Sequence, residues 1–153
     1  MSLLTYRQAQ GTAPVTPNIE IINKIYRDFL SGDHRSVIEA FDENIDWDGK
    51  INWRGGPLGR CYEGKKRGRE EVAEALQQFL LNFEFRASLS ENTYVEHGNT
   101  VVVTGSDIRT VLPTGTTTEN RWTMIWTIEN GKATKFRIYQ DTVPEFEPLM
   151  TNL

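Results

Sequence analysis

The sequence predicts an α+β domain in which helices pack on one face of a curved, mainly antiparallel sheet. Three observations carry this. Apolar residues recur at helical spacing in three stretches of the first half. The period then changes to two, in long runs rich in Val, Ile, Thr and Trp. Turns of two or three residues separate those runs, and connections that short join antiparallel neighbours. The 153 residues suit one domain, long enough to enclose a pocket. We expect an arm over 1–16, the domain over 17–143 and a tail over 144–153.

The elements follow in order. Thr16-Pro17 pairs a capping hydroxyl with a proline suited to the first helical turn. Ile19, Ile22, Tyr26, Phe29 and Leu30 then recur at helical spacing until Gly32 stops the helix. Asp33 caps a second, short helix that buries Val37, Ile38 and Phe41. From Asn44 to Trp53 the chain reads as a strand. Ile45, Trp47 and Gly49 share one face; Asp46 and Asp48 share the other and are expected to face solvent. "RGGPLGRCYEGKKRG" reads as a glycine-rich loop. A third helix carries Val72, Leu76, Phe79, Leu80 and Phe83 on one stripe. Phe83, Phe85, Ala87 and Leu89 alternate as a strand that resumes at Tyr94-Val95. "TVVVTGSDIRTVL", "TTENRWTMIWTI" and "KATKFRIYQD" are the last three strands, joined by "PTG" and "ENG" turns.

Composition narrows the function. The net charge of −4 disfavours a nucleic-acid binder. Cys61 is the one cysteine, so no intramolecular disulfide or cysteine-rich zinc site is expected. Two unclustered histidines, His34 and His97, argue against a metal centre. No apolar run approaches a membrane span, and "MSLLTYRQAQGTAPVTP" does not read as a signal peptide. We expect a cytoplasmic protein. "GRCYEGKKRG" looks like part of a phosphate-binding loop, but Lys66 stands where such a loop needs Ser or Thr, and the fold is not parallel. Lys65, Lys66, Arg67 and Arg69 are expected to form a solvated rim that could steer an anion.

"FLSGDHRSVIEAFDENIDWDG", "YEGKKRGREEV" and "ENGKATKFRIYQD" resemble the nuclear transport factor two-like superfamily, in its SnoaL-like or ketosteroid-isomerase-like branch. The resemblance covers about residues 18–143. It implies a conical, cystatin-like α+β fold with three N-terminal helices on the sheet, a deep apolar pocket, often a homodimer, and no cofactor. Its members include isomerases, polyketide cyclases, dehydratases, epoxide hydrolases and noncatalytic binding proteins, so the fold does not select a reaction.

The resemblance also implies which strand faces look inward. Trp122, Met124, Trp126 and Ile128 would line the cone, with Phe136, Ile138 and Gln140 on the last strand and Trp47 and Gly49 on the first; Tyr26 would join from the helix. Each of Trp47, Trp122 and Trp126 reads singly as core; three indoles on one cavity suggest a ligand wall. Asp107 and Arg109 stand two apart on one strand face with Val101, Val103 and Val111, which is costly unless they pair. Two readings are open: a structural ion pair, or a pocket base, Asp107, oriented by Arg109. Compared with limonene epoxide hydrolase-like enzymes, Asp107 matches a pocket aspartate. Gly105, Ile138, Trp47 and Gly49 replace the other polar residues. Compared with ketosteroid isomerases, the base position falls near Gly49, the helix tyrosine near Ile25 and the protonated acid near Met124. Neither apparatus is expected intact. The expected function is binding of an apolar or aromatic, including acidic, small molecule. Cofactor-free isomerase, cyclase or dehydratase chemistry on Asp107 would accompany it; the alternative is a noncatalytic binding or homodimeric interaction module.

Overall fold

A computed structural model describes residues 15–49 and 64–140. Most of the glycine-rich loop, with Trp53 and Cys61, lies outside the described residues, as do most of the arm and the tail. Helix α1 (Pro17–Ser31) begins where expected, with the Thr16 hydroxyl accepting from the Ile19 amide at 3.2 Å. It buries Ile22, Ile25 and Tyr26. Ile25 was not on the expected apolar stripe, but it lies three residues after Ile22 and so shares its face. Helix α2 (His34–Glu39) is capped by Asp33, whose carboxylate accepts from the Ser36 amide and hydroxyl. Helix α3 (Arg69–Leu80) turns Val72 fully inward.

The strands are β1 (Phe41–Asp48), β2 (Lys65–Arg67), β3 (Phe83–Arg86), β4 (Thr93–His97), β5 (Thr100–Val111), β6 (Thr116–Glu129) and β7 (Lys132–Gln140). They form one sheet in the order β2-β1-β7-β6-β5-β3, with β4 also on β5. Among the described residues, only the β1–β7 pairing is parallel. The β6–β7 turn needs left-handed backbone at Asn130 (φ 51°) and Gly131 (φ 76°), residue types that tolerate it. The three helices pack on one face of this curved, mainly antiparallel sheet, and the main core lies between the layers.

Five expectations change. Phe41 does not belong to the second helix: it opens β1, three residues before the expected strand start. Lys65–Arg67 is not loop: it pairs antiparallel with β1, placing Lys66 opposite Trp47. Phe83 opens β3 rather than ending the helical stripe; its ring still meets Phe79 at 4.7 Å. The strand from Phe83 does not reach Leu89. A 3-10 turn at Leu89–Glu91 breaks it, so β3 and β4 pair separately with β5. Asp48 is buried, not solvent-facing. Its Cα partners in the flanking strands are Lys65 and Arg137. Asp46 shares that face and accepts from Arg137 at 2.9 Å, which holds its carboxyl below the usual range.

Candidate functional site

A cavity of about 180 Å³ lies between the helices and the sheet. Trp47, Trp122, Met124, Trp126, Phe136, Ile138 and Tyr26 all line it, and so do Asp107 and Arg109. The two-residue period of β5, β6 and β7 explains this: the inward residue of each strand is registered with the inward residue of the next. Trp126 stands opposite both Val101 and Phe136, Met124 opposite Val103 and Ile138, and Trp122 opposite Gly105 and Gln140.

One part of the wall is aromatic. Trp47 stacks on Phe136 at 3.9 Å between ring centroids, and Phe136 meets Trp126 at 4.5 Å. Phe41 closes the group against Trp47 and Trp126. Tyr26 reaches in from α1. Its hydroxyl accepts from Trp126 Nε1 at 3.1 Å and donates to Met124 Sδ at 2.9 Å. Burial pushes the Tyr26 phenol far above its ordinary value, and the Trp126 bond offsets only part of that. The phenol is therefore a neutral donor, and it is spending that donor on a thioether, a weak acceptor.

The other part is polar. Asp107 and Arg109 leave β5 on the same face, both buried. Arg109 Nε donates to Asp107 Oδ1 at 2.8 Å and Nη2 donates to Oδ2 at 3.2 Å. Trp122 Nε1 donates to the same Oδ2 at 3.0 Å. Nη2 also donates to Gln140 Oε1 at 2.8 Å. The guanidinium lies 4.9 Å from the Phe85 ring centre, a cation–π contact in a desolvated site. A carboxylate has about four acceptor positions, and these donors take three. The ion-pair reading is thus a real feature of the site. The position left over is on Oδ1.

Gly105 makes the Trp122 bond possible. A Cβ there would sit 2.6 Å from the indole and 2.5 Å from Asn92 Oδ1. The indole lies over the missing side chain and so reaches Asp107, two residues along β5. Asn92 is buried and lines the cavity; nothing in its sequence context marked it. Lys66 was expected on a solvated rim but is half-buried in the cavity wall. Phe79 and Phe85, expected only as helix and strand residues, also line the cavity. Gly49 lines the cavity as its strand parity implied, and so does Gln140.

Among the described residues, no cluster of His, Cys, Asp and Glu could hold a metal ion, and no helix is long and apolar enough to cross a membrane. His34 packs beside Phe29, and His97 ends β4; neither lines the cavity.

Residues 22–136 match the SnoaL-like domain family. Among solved structures, TerC, co-crystallized with polyporic acid, is 27% identical with a TM-score of 0.73, covering 88% of this chain and 99% of its own. An NTF2-like protein from Burkholderia xenovorans LB400 is 26% identical with a TM-score of 0.70, covering 86% and 94%. An NTF2-like protein from Burkholderia pseudomallei K96243 is 23% identical with a TM-score of 0.75, covering 86% and 96%. No curated protein matches the chain.

Proposed function

This chain belongs to the SnoaL-like domain family, and from that premise we propose that its cavity binds a compact aromatic or apolar organic molecule, acids included, and moves a proton on it without a cofactor. The observation that carries this reading is the convergence of three indoles and a buried carboxylate on one cavity of about 180 Å³. TerC, a relative at 27% identity, was co-crystallized with polyporic acid, which supports the ligand class. A homodimer is the assembly the reading includes, and the cytoplasm its compartment.

The chemistry follows from which lone pairs and protons are free to act. Asp107 Oδ1 takes a proton from a carbon made acidic by an adjacent carbonyl. Arg109 pairs with the carboxylate and fixes its plane, and Trp122 holds the other oxygen. The charge that develops on the ligand oxygen needs a donor. Tyr26 supplies one by turning from the Met124 sulfur to a better acceptor. Returning the proton from Asp107 to a different carbon is isomerisation; passing it to a departing hydroxyl is dehydration. Trp47, Trp126 and Phe136 hold the ring in place by stacking.

One observation favours a second reading, the noncatalytic binding module: three donors already occupy the Asp107 carboxylate. Asp107→Asn separates the two. With a substrate found by quenching of tryptophan fluorescence across small aromatic acids and ketones, the proton-transfer reading expects turnover to fall roughly 100-fold or more. Unchanged turnover, with binding abolished in Trp122→Ala, makes the protein a binding module. Silence of the wild type across the whole panel rejects the ligand-binding role itself.

A further inference from the structure

Lys66 is the charge in the cavity wall that neither reading of Asp107 uses. It stands opposite Trp47 in the β1–β2 ladder, and both residues line the cavity. Directly paired residues send their side chains to the same face. The ladder continues past β2 through a bond from the Gly49 amide to the Gly64 carbonyl at 2.8 Å, and these two small residues line the cavity beside Lys66.

The charges of the described lining residues do not balance. Among the described lining residues, Asp107 and Arg109 neutralise each other in a direct ion pair. Lys66 has no ion pair among the described residues. Among the described residues, the wall therefore carries one positive charge without an ion-pair partner, on a half-buried side chain paired with Trp47 in the ladder. Partial burial weakens screening by solvent and raises what a counter-charge contributes there.

Lys66 is also well separated from the polar group at Asp107. Trp47 is registered with Phe136 on β7, and Gln140, which binds Arg109, lies four residues further along that strand. Four residues of strand span about 13 Å. The aromatic walls lie between these two poles. The volume sets the scale: a cavity of about 150 Å³ accepts benzene, so about 180 Å³ accepts one ring with short substituents.

We propose that Lys66 binds the anionic group of the ligand, and that the ligand is a single-ring aromatic carboxylate with a carbonyl or hydroxyl at its far end, directed to Asp107, Arg109 and Gln140. This rests on the ligand-binding reading above and names the substrate class for that same cavity.

The test is calorimetric titration of the full chain with 4-hydroxyphenylacetate and 4-hydroxyphenylacetamide, probes alike in shape and different in charge. Wild type is expected to bind the acid roughly tenfold more tightly than the amide. Lys66→Met is expected to lose that preference by weakening the acid alone, and Lys66→Arg to keep it. Lys65→Met, which removes an exposed charge next in sequence, is expected to keep it as well. Equal binding of both probes by wild type, or a preference that survives Lys66→Met, overturns the role of Lys66 and leaves the cavity as a binding site. A preference lost equally in Lys65→Met also overturns it, in favour of diffuse surface charge. No binding of either probe at millimolar concentration overturns this proposal together with the compact-aromatic ligand class on which it rests.

Discussion

Near β1 the cavity wall is held by ring contacts among Trp47, Phe136 and Trp126; toward Gln140 it is held by hydrogen bonds among Asp107, Arg109 and Trp122. The first kind of contact is non-directional. It depends on buried area and filled volume, and it tolerates a ligand ring in place of a side-chain ring. The second is directional and close to all-or-none, because a buried charge that loses its partner keeps its desolvation cost. One region is suited to hold a ring, the other to fix an orientation. Tyr26 belongs to both: its ring lies 5.9 Å from Trp122 and 6.3 Å from Trp126, and its hydroxyl ties Trp126 to Met124.

The largest expected effect comes from breaking the aromatic region. Trp126→Ala empties a fully buried site and removes the bond to Tyr26, and should cost about 3–5 kcal/mol in denaturant unfolding. A cost below about 1 kcal/mol would mean that these rings do not support the core. In the polar region, Arg109→Met should cost about 3 kcal/mol because it strands the Asp107 carboxylate. Adding Asp107→Leu should recover most of that loss, since the stranded charge goes with it. A double variant no more stable than the single one would contradict the pairing account.

The smallest expected effect is at the seam. Tyr26→Phe should cost about 1 kcal/mol at neutral pH, the usual value of a buried hydrogen bond. Its pH dependence is more telling. Burial raises the folded-state phenol above its unfolded value near 10, so the unfolded chain ionises first. The stability tied to Tyr26 is therefore whole below about pH 10 and is lost as pH rises beyond it. Unfolding midpoints across alkaline pH should fall less steeply in Tyr26→Phe than in wild type. Parallel slopes would show that this phenol is not the group responsible.

Much of the site was legible because strand periodicity is local. Once residues 117–128 read as a strand, Trp122, Met124 and Trp126 had to share a face, and Asp107 had to share one with Arg109. The family resemblance supplied which face was inward. Lys66 was not legible. Three residues between glycines and a helix carry no period, and only pairing with β1, some twenty residues earlier, makes them a strand. Asp48 failed for the same reason: strand parity puts it on the outer face, and its burial there comes only once β2 and β7 flank β1.

Sequence by itself determined the fold class, the helix caps, the turns and the alternation that sorts each strand into two faces. All of these depend on residues within a few positions of one another, where backbone sterics and local hydrogen bonds act directly. Tertiary structure decided which faces meet, what fills the space over Gly105, which donors surround Asp107 and that one lysine looks inward. Those outcomes depend on groups far apart in the chain, such as Tyr26 and Trp126, whose contact exists only once the sheet has curved beneath the helices.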